Sequence, residues 1–111
     1  MLFRSTGGIT RDFTYIDNVV DLNMRAWRVP EARGKVFNGA CGESITLDNL
    51  VEVINDCLGT SIKPTYGPPR VGDIKNSLAD ISHAKKVLRY NPLVTFAEGI
   101  RRTVDSFIER A

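Results

Sequence analysis

Two short stretches carry residue types suited to binding chemistry: Arg11-Asp12-Phe13 and Arg70-Val71-Gly72-Asp73. Arginine presents a planar fork of donors that matches phosphate oxygens, Pro68-Pro69 stiffens the approach to Arg70, and Gly72 lets the backbone come close to a ligand. Asp73, just past that turn, is placed to accept hydrogen bonds from ribose hydroxyls. Two less demanding readings of the same residues stay open: a turn-stabilising Arg70–Asp73 ion pair, and Arg11-Asp12 as an exposed pair on a strand.

Other chemistries find little support. His83 is the only histidine, so a zinc site would need it, the distant Cys41 and Cys57, and carboxylates at spacings that match no recurrent pattern. Between Lys85 and Lys86 on one side and a polar approach on the other, His83 reads as a solvated surface residue. No Gly-x-Ser-x-Gly elbow occurs to support a serine nucleophile. Val36-Phe37-Asn38 followed by Gly39 and Gly42 imitates a dinucleotide-binding turn. Ile45 stands where the third glycine belongs, however, and no acid about 20 residues on closes a following strand. The two glycines therefore read as a strand-to-helix turn, and both cysteines read as small buried hydrophobes in a reducing, cytoplasmic setting.

These residues must be positioned by a chain of 111 residues, 42% hydrophobic and 25% charged, values that fit one ordinary globular domain spanning 1–111. A net charge of +2 gives no broad basic face for nucleic acid, and no apolar run reaches the length of a membrane span. Alternation over Ile9–Phe13 predicts a short strand. Ile16, Val19, Val20, Met24 and Trp27 predict a helix capped by Asp17 and stopped by Pro30. Lys35–Asn38 is a β-favouring run. Thr46 caps a second helix with Leu47, Leu50, Val51, Ile54, Cys57 and Leu58 on one stripe and Gly59 at its end. Ile62–Tyr66 reads as an edge strand. A short helix follows, with Asp80 as cap and Ile81, Ala84, Val87 and Leu88 inward. Thr95 to Glu98 forms a capping box for a last helix with Phe96, Ile100, Val104, Phe107 and Ile108 on one side. The fold class is α/β, with about four helices and a few short strands.

The segments Thr10–Val20, Lys35–Asn38, Arg70–Ile74, Ser77–Leu88, Tyr90–Pro92 and Thr95–Ile100, in that order, resemble the C-terminal part of NAD-dependent sugar epimerases/dehydratases, the extended short-chain dehydrogenases acting on nucleotide sugars. The resemblance runs from about Gly8 to Phe107. The wording Tyr15-Ile16-Asp17-Asn18-Val19 and Ala40-Cys41-Gly42-Glu43 is most similar to UDP-N-acetylglucosamine and UDP-glucose 4-epimerases. By that resemblance Arg11 and Arg70 would grip the diphosphate of a UDP-sugar, Asp73 would bind the uridine ribose, and Ser77 would border the sugar pocket with a side chain small enough for an N-acetyl group. The chain departs from the family's pattern at Gly39, where an apolar strand residue is usual, and at Arg89, where glycine is usual.

The family's glycine-rich NAD loop and its Tyr-x-x-x-Lys pair have no counterpart here, since none of Tyr15, Tyr66 and Tyr90 is followed by lysine four residues later. Without them neither the base nor the redox cofactor of a 4-epimerisation is supplied. The resemblance thus implies a substrate-binding half that is catalytically inactive alone and holds no NAD, binds UDP-sugars weakly, and self-associates through uncovered faces such as Val19/Met24/Trp27 or Phe96/Val104/Phe107. The alternative is a stand-alone, non-catalytic interaction or ligand-binding module derived from the same family.

Overall fold

A computed structural model describes residues 2–3, 7–68 and 70–110. Among the described residues four helices carry the architecture: α1 (Ile16–Arg28), α2 (Leu47–Leu58), α3 (Ser82–Leu88) and α4 (Phe96–Arg110), with one 3-10 turn at Pro30–Ala32. Four two-residue strands join them: β1 (Leu2–Phe3), β2 (Thr10–Arg11), β3 (Ile45–Thr46) and β4 (Thr65–Tyr66). β1 runs parallel to β4, and β2 runs antiparallel to β3 with Thr10 opposite Thr46 and Arg11 opposite Ile45. No helix among the described residues is long and apolar enough to cross a membrane.

The expected elements stand, several in altered form. α2 begins where Thr46 Oγ1 accepts from the Asn49 amide at 3.1 Å and ends at Gly59 in the left-handed conformation. At α1 the cap is the backbone of Tyr15, without a side-chain bond; Asp17 lies in the first turn and pairs with Arg102 at 3.3 Å. The residue capping α3 is Ile81, although the Asp80 carboxylate does accept the Ser82 amide at 2.9 Å. Only half of the expected box at α4 forms: the Glu98 amide donates to Thr95 Oγ1, while the Glu98 carboxylate turns to Arg101 and Arg102. The strands expected over Ile9–Phe13 and Ile62–Tyr66 shrink to β2 and β4. Lys35–Asn38 takes up no regular secondary structure and joins no ladder among the described residues. Both cysteines are free and only partly buried.

The core is small. Ala32, Ala40, Ile81, Ala84, Leu88 and Tyr90 form one buried cluster, with Leu22 and Ala26 of α1, Val29 just past its end and Val87 of α3 packed against it. Tyr90 is almost wholly enclosed and donates its hydroxyl to the Ala40 carbonyl at 2.8 Å. Burial pushes that phenol up to about 12. The departures from the family's pattern acquire local reasons. A Cβ at Gly39 would stand 1.9 Å from Leu22 Cδ2, so a side chain here would require Leu22 to move. Arg89 ends α3 with a left-handed φ of 54°, the conformation that glycine adopts without a Cβ penalty. Arg25 braces that end by donating to the carbonyls of Leu88 and Arg89.

Candidate functional site

β2 assembles the candidate site because it is paired on both edges. On one edge lies β3; on the other, the Thr10 amide donates to the Lys75 carbonyl at 2.9 Å and the Ser77 amide to the Thr10 carbonyl at 3.2 Å. Thr10 Oγ1 adds a bond to Asn76 Oδ1 at 3.0 Å. This ladder lays the 70–77 segment beside Arg11. The Arg11 guanidinium then meets Asp73 Oδ1 at 3.3 Å, with both side chains about one third exposed, at 31%.

Of the four residues expected at a site, three are therefore brought together by observed contacts: Arg11 with Asp73, and Ser77 one ladder position away. Arg70 stands at the start of the same loop, where its carbonyl accepts the Asp73 amide at 3.2 Å. Its guanidinium is exposed and makes no hydrogen bond or ion pair with the described residues, so its donors remain available. Gly72 turns the loop at φ 78°, with open space where a Cβ would be. Pro69, expected to stiffen the approach, lies outside the described residues. The two simpler pairings do not form. Asp73 pairs with Arg11 and not with Arg70, and Asp12 spends its carboxylate on the amides of Cys41 and Gly42 at 3.1 and 2.9 Å.

The patch is open. Val71, Ile74 and Leu78 are exposed beside the charged groups, an apolar rim of the kind that base and sugar rings cover. A groove of about 440 Å³ begins at Leu78, one residue past Ser77, and runs between Gly42 and Lys85. Cys41 lines it, but burial first and the Asp12 charge second push its thiol up, which keeps it protonated and a poor nucleophile. Two guanidinium groups, one carboxylate and a small hydroxyl can hold a diphosphate and a ribose; they include no poised base or nucleophile.

The Gly39–Gly42 turn does not have the form of a dinucleotide-binding turn. The run before Gly39 is not a strand, and Gly42 leads to the two residues of β3 before α2 begins, so no strand-turn-helix cradle for a pyrophosphate is built there. His83 is exposed, as expected, though its ring lies against Phe37 at 4.7 Å between centroids. Sequence reasoning missed Asp12 as the clamp on the Cys41-Gly42 turn, Asn76 as a member of the site ladder, and Asn18. Asn18 is fully buried on α1 and ties down the Leu93-Val94 backbone. Its signal was present, a polar side chain on the apolar face that also carries Leu22 and Ala26.

No family model matches the chain. Over 101 residues it is 38% identical to a UDP-glucose 4-epimerase of Mycolicibacterium smegmatis, covering 91% of this chain and 32% of that protein. The structure superposes on the UDP-glucose 4-epimerase of Thermotoga maritima, solved with UDP-glucose, at a TM-score of 0.92 and 32% identity, over 99% of this chain and 35% of the other. A UDP-N-acetylglucosamine 4-epimerase of Methanobrevibacter ruminantium, in complex with UDP-N-acetylmuramic acid, gives 0.89 and 34%, again covering 35% of its length. The chain thus spans about one third of the length of the relatives it matches.

Proposed function

Because this chain corresponds in sequence and fold to the C-terminal part of the NAD-dependent sugar epimerases, we propose that Arg11, Arg70, Asp73 and Ser77 form the nucleotide-sugar half of an epimerase site. The observation that carries this reading is the two-sided pairing of β2, which brings an anion-binding arginine, a carboxylate and a small side chain onto one exposed patch. Arg70 and Arg11 take the diphosphate oxygens, Asp73 accepts from the ribose, and Ser77 leaves room for a substituent at the sugar's second carbon. By itself the chain turns nothing over, because the patch offers no group to move a proton at the sugar and no cradle for NAD.

An open half-site forfeits the gain of a dry, enclosed pocket, so affinity for UDP-sugars is millimolar, on the order of 4 kcal/mol. Titration of UDP-glucose and UDP-N-acetylglucosamine by ligand-observed NMR tests this. Arg70→Ala abolishes the signal while Arg101→Ala, whose guanidinium is held by Glu98 and Asp105, leaves it unchanged. Ser77→Tyr weakens UDP-N-acetylglucosamine more than UDP-glucose. Equal losses for the two sugars would remove Ser77 from the pocket, and the absence of any UDP-dependent signal would leave the interaction-module reading in its place.

A further inference from the structure

Asp73 pairs with an arginine 62 residues away and not with Arg70, three residues before it. Arg70 meets Asp73 through backbone alone, its carbonyl accepting the Asp73 amide at 3.2 Å, and its guanidinium stays without a partner among the described residues. The two cations of the patch are thus in different states: Arg70 is open and Arg11 is engaged. Arg11 Nη1 donates to the Thr10 carbonyl at 2.7 Å and Nη2 to Asp73 Oδ1 at 3.3 Å. The same Thr10 carbonyl accepts the Ser77 amide, so the guanidinium is tied to the ladder that lays down the 70–77 segment.

This pair is closed without being locked. A single contact of 3.3 Å is long for a charge-assisted hydrogen bond, Asp73 Oδ2 has no partner among the described residues, and solvent reaches both side chains. An anion can therefore draw Arg11 away, but the exchange has an electrostatic cost. It leaves the Asp73 carboxylate without its cation and beside a second negative charge. A bare pyrophosphate brings more negative charge and no neutral hydroxyls in return. A ligand that carries a ribose beside its diphosphate brings neutral hydroxyl donors, which take over the carboxylate as Arg11 leaves it.

We propose that the Arg11–Asp73 ion pair is a clasp that closes the unliganded patch against bare anions, and that Arg11 passes to a phosphate when the ligand also hands hydroxyl donors to Asp73. This rests on the reading of the patch as a nucleotide-sugar half-site. Asp73 then has two duties in sequence: it occupies Arg11 in the free chain, and it holds the ribose in the complex. The uncommitted Arg70 meets the phosphates first, and Arg11 changes partner second. Selectivity for a nucleoside diphosphate over an inorganic one comes from the repulsion that the wrong ligand leaves unrelieved at Asp73, as much as from any contact that the right one gains.

The test follows pyrophosphate and UDP binding to the full chain by phosphorus NMR. The wild type prefers UDP. Asp73→Asn raises pyrophosphate affinity about fivefold, the strength of an exposed ion pair, without raising UDP affinity, and leaves circular dichroism unchanged. Asp73→Ala reproduces the pyrophosphate gain with no acceptor left at the position. Arg11→Ala/Asp73→Asn binds pyrophosphate no better than Arg11→Ala, since the gain passes through the freed guanidinium. A gain that persists without Arg11 makes Asp73 a repelling charge alone and overturns the clasp. An equal gain for UDP and pyrophosphate overturns it too, as does UDP binding accompanied by a pyrophosphate affinity that neither Asp73 variant raises. No UDP-dependent signal from the wild type overturns the nucleotide-sugar reading, and the clasp with it.

Discussion

Asn18 and Arg70 mark the two extremes of polar chemistry in this chain. Asn18 is wholly buried and spends its side chain four ways: Oδ1 accepts from the amides of Leu93 and Val94, and Nδ2 donates to the Val94 carbonyl and the Cys41 sulfur. Arg70 is exposed and spends its guanidinium on none of the described residues. A polar group enclosed by its own chain serves the fold, since removing it leaves its partners unpaired in a dry place; one held open at a turn is available to something else. The same contrast holds between Asp12, closed onto two amides, and Asp73, one third exposed with a single ion pair.

If that contrast is sound, the largest loss of stability comes from Asn18→Leu. It keeps the branching and the number of heavy atoms but leaves two amides and a carbonyl without partners, a cost of about 3 kcal/mol that urea unfolding reads directly. Tyr90→Phe is smaller, about 1 kcal/mol, because only the Ala40 carbonyl loses its donor. The Tyr90 phenol also sharpens the comparison through pH. Its folded value, pushed up to about 12 from an ordinary 10, favours the neutral hydroxyl in the fold. The stability it contributes is complete below pH 10 and is lost as pH rises through 12, so wild type loses stability over that window faster than Tyr90→Phe does.

Arg89→Gly goes the other way: relieving the left-handed strain raises stability by about 1 kcal/mol, visible as a higher midpoint at unchanged slope in the same unfolding measurement. The smallest effect belongs to the open patch. Arg11→Ala changes stability by less than about 0.5 kcal/mol, since a one-third-exposed ion pair is screened by solvent, while it removes UDP binding in the titration. A large stability loss at Arg11 would place it with the interior polar groups and break the contrast.

What the sequence disclosed followed the range of the interactions involved. α2 was legible from end to end because its stripe, the Thr46 cap and Gly59 are all local signals. The Arg70–Asp73 segment was legible as a turn for the same reason, and the order of the six resembling segments pointed to the epimerase C-terminal region that the comparisons bear out. The pairing of Arg11 with Asp73, 62 residues apart, was not, and neither was the meeting of Asn18 with Val94 across 76. No local pattern says which distant backbone a side chain will satisfy. Lys35–Asn38 failed differently: its β-favouring composition describes fitness for a pleated surface, and a strand needs a neighbour to make it one.

Thr10 also bears on how the molecule is reached from its unfolded chain. Bringing Thr10 to Asn76 closes a loop of 66 residues, which costs about 4 kcal/mol of chain entropy if done in one step. Because Thr10 also lies opposite Thr46, the closure divides into two loops of roughly half that length. The patch around Arg11 and Asp73 belongs to the second of these loops. Thr10→Pro, which deletes the amide bonded to Lys75, should slow its formation far more than it alters α2.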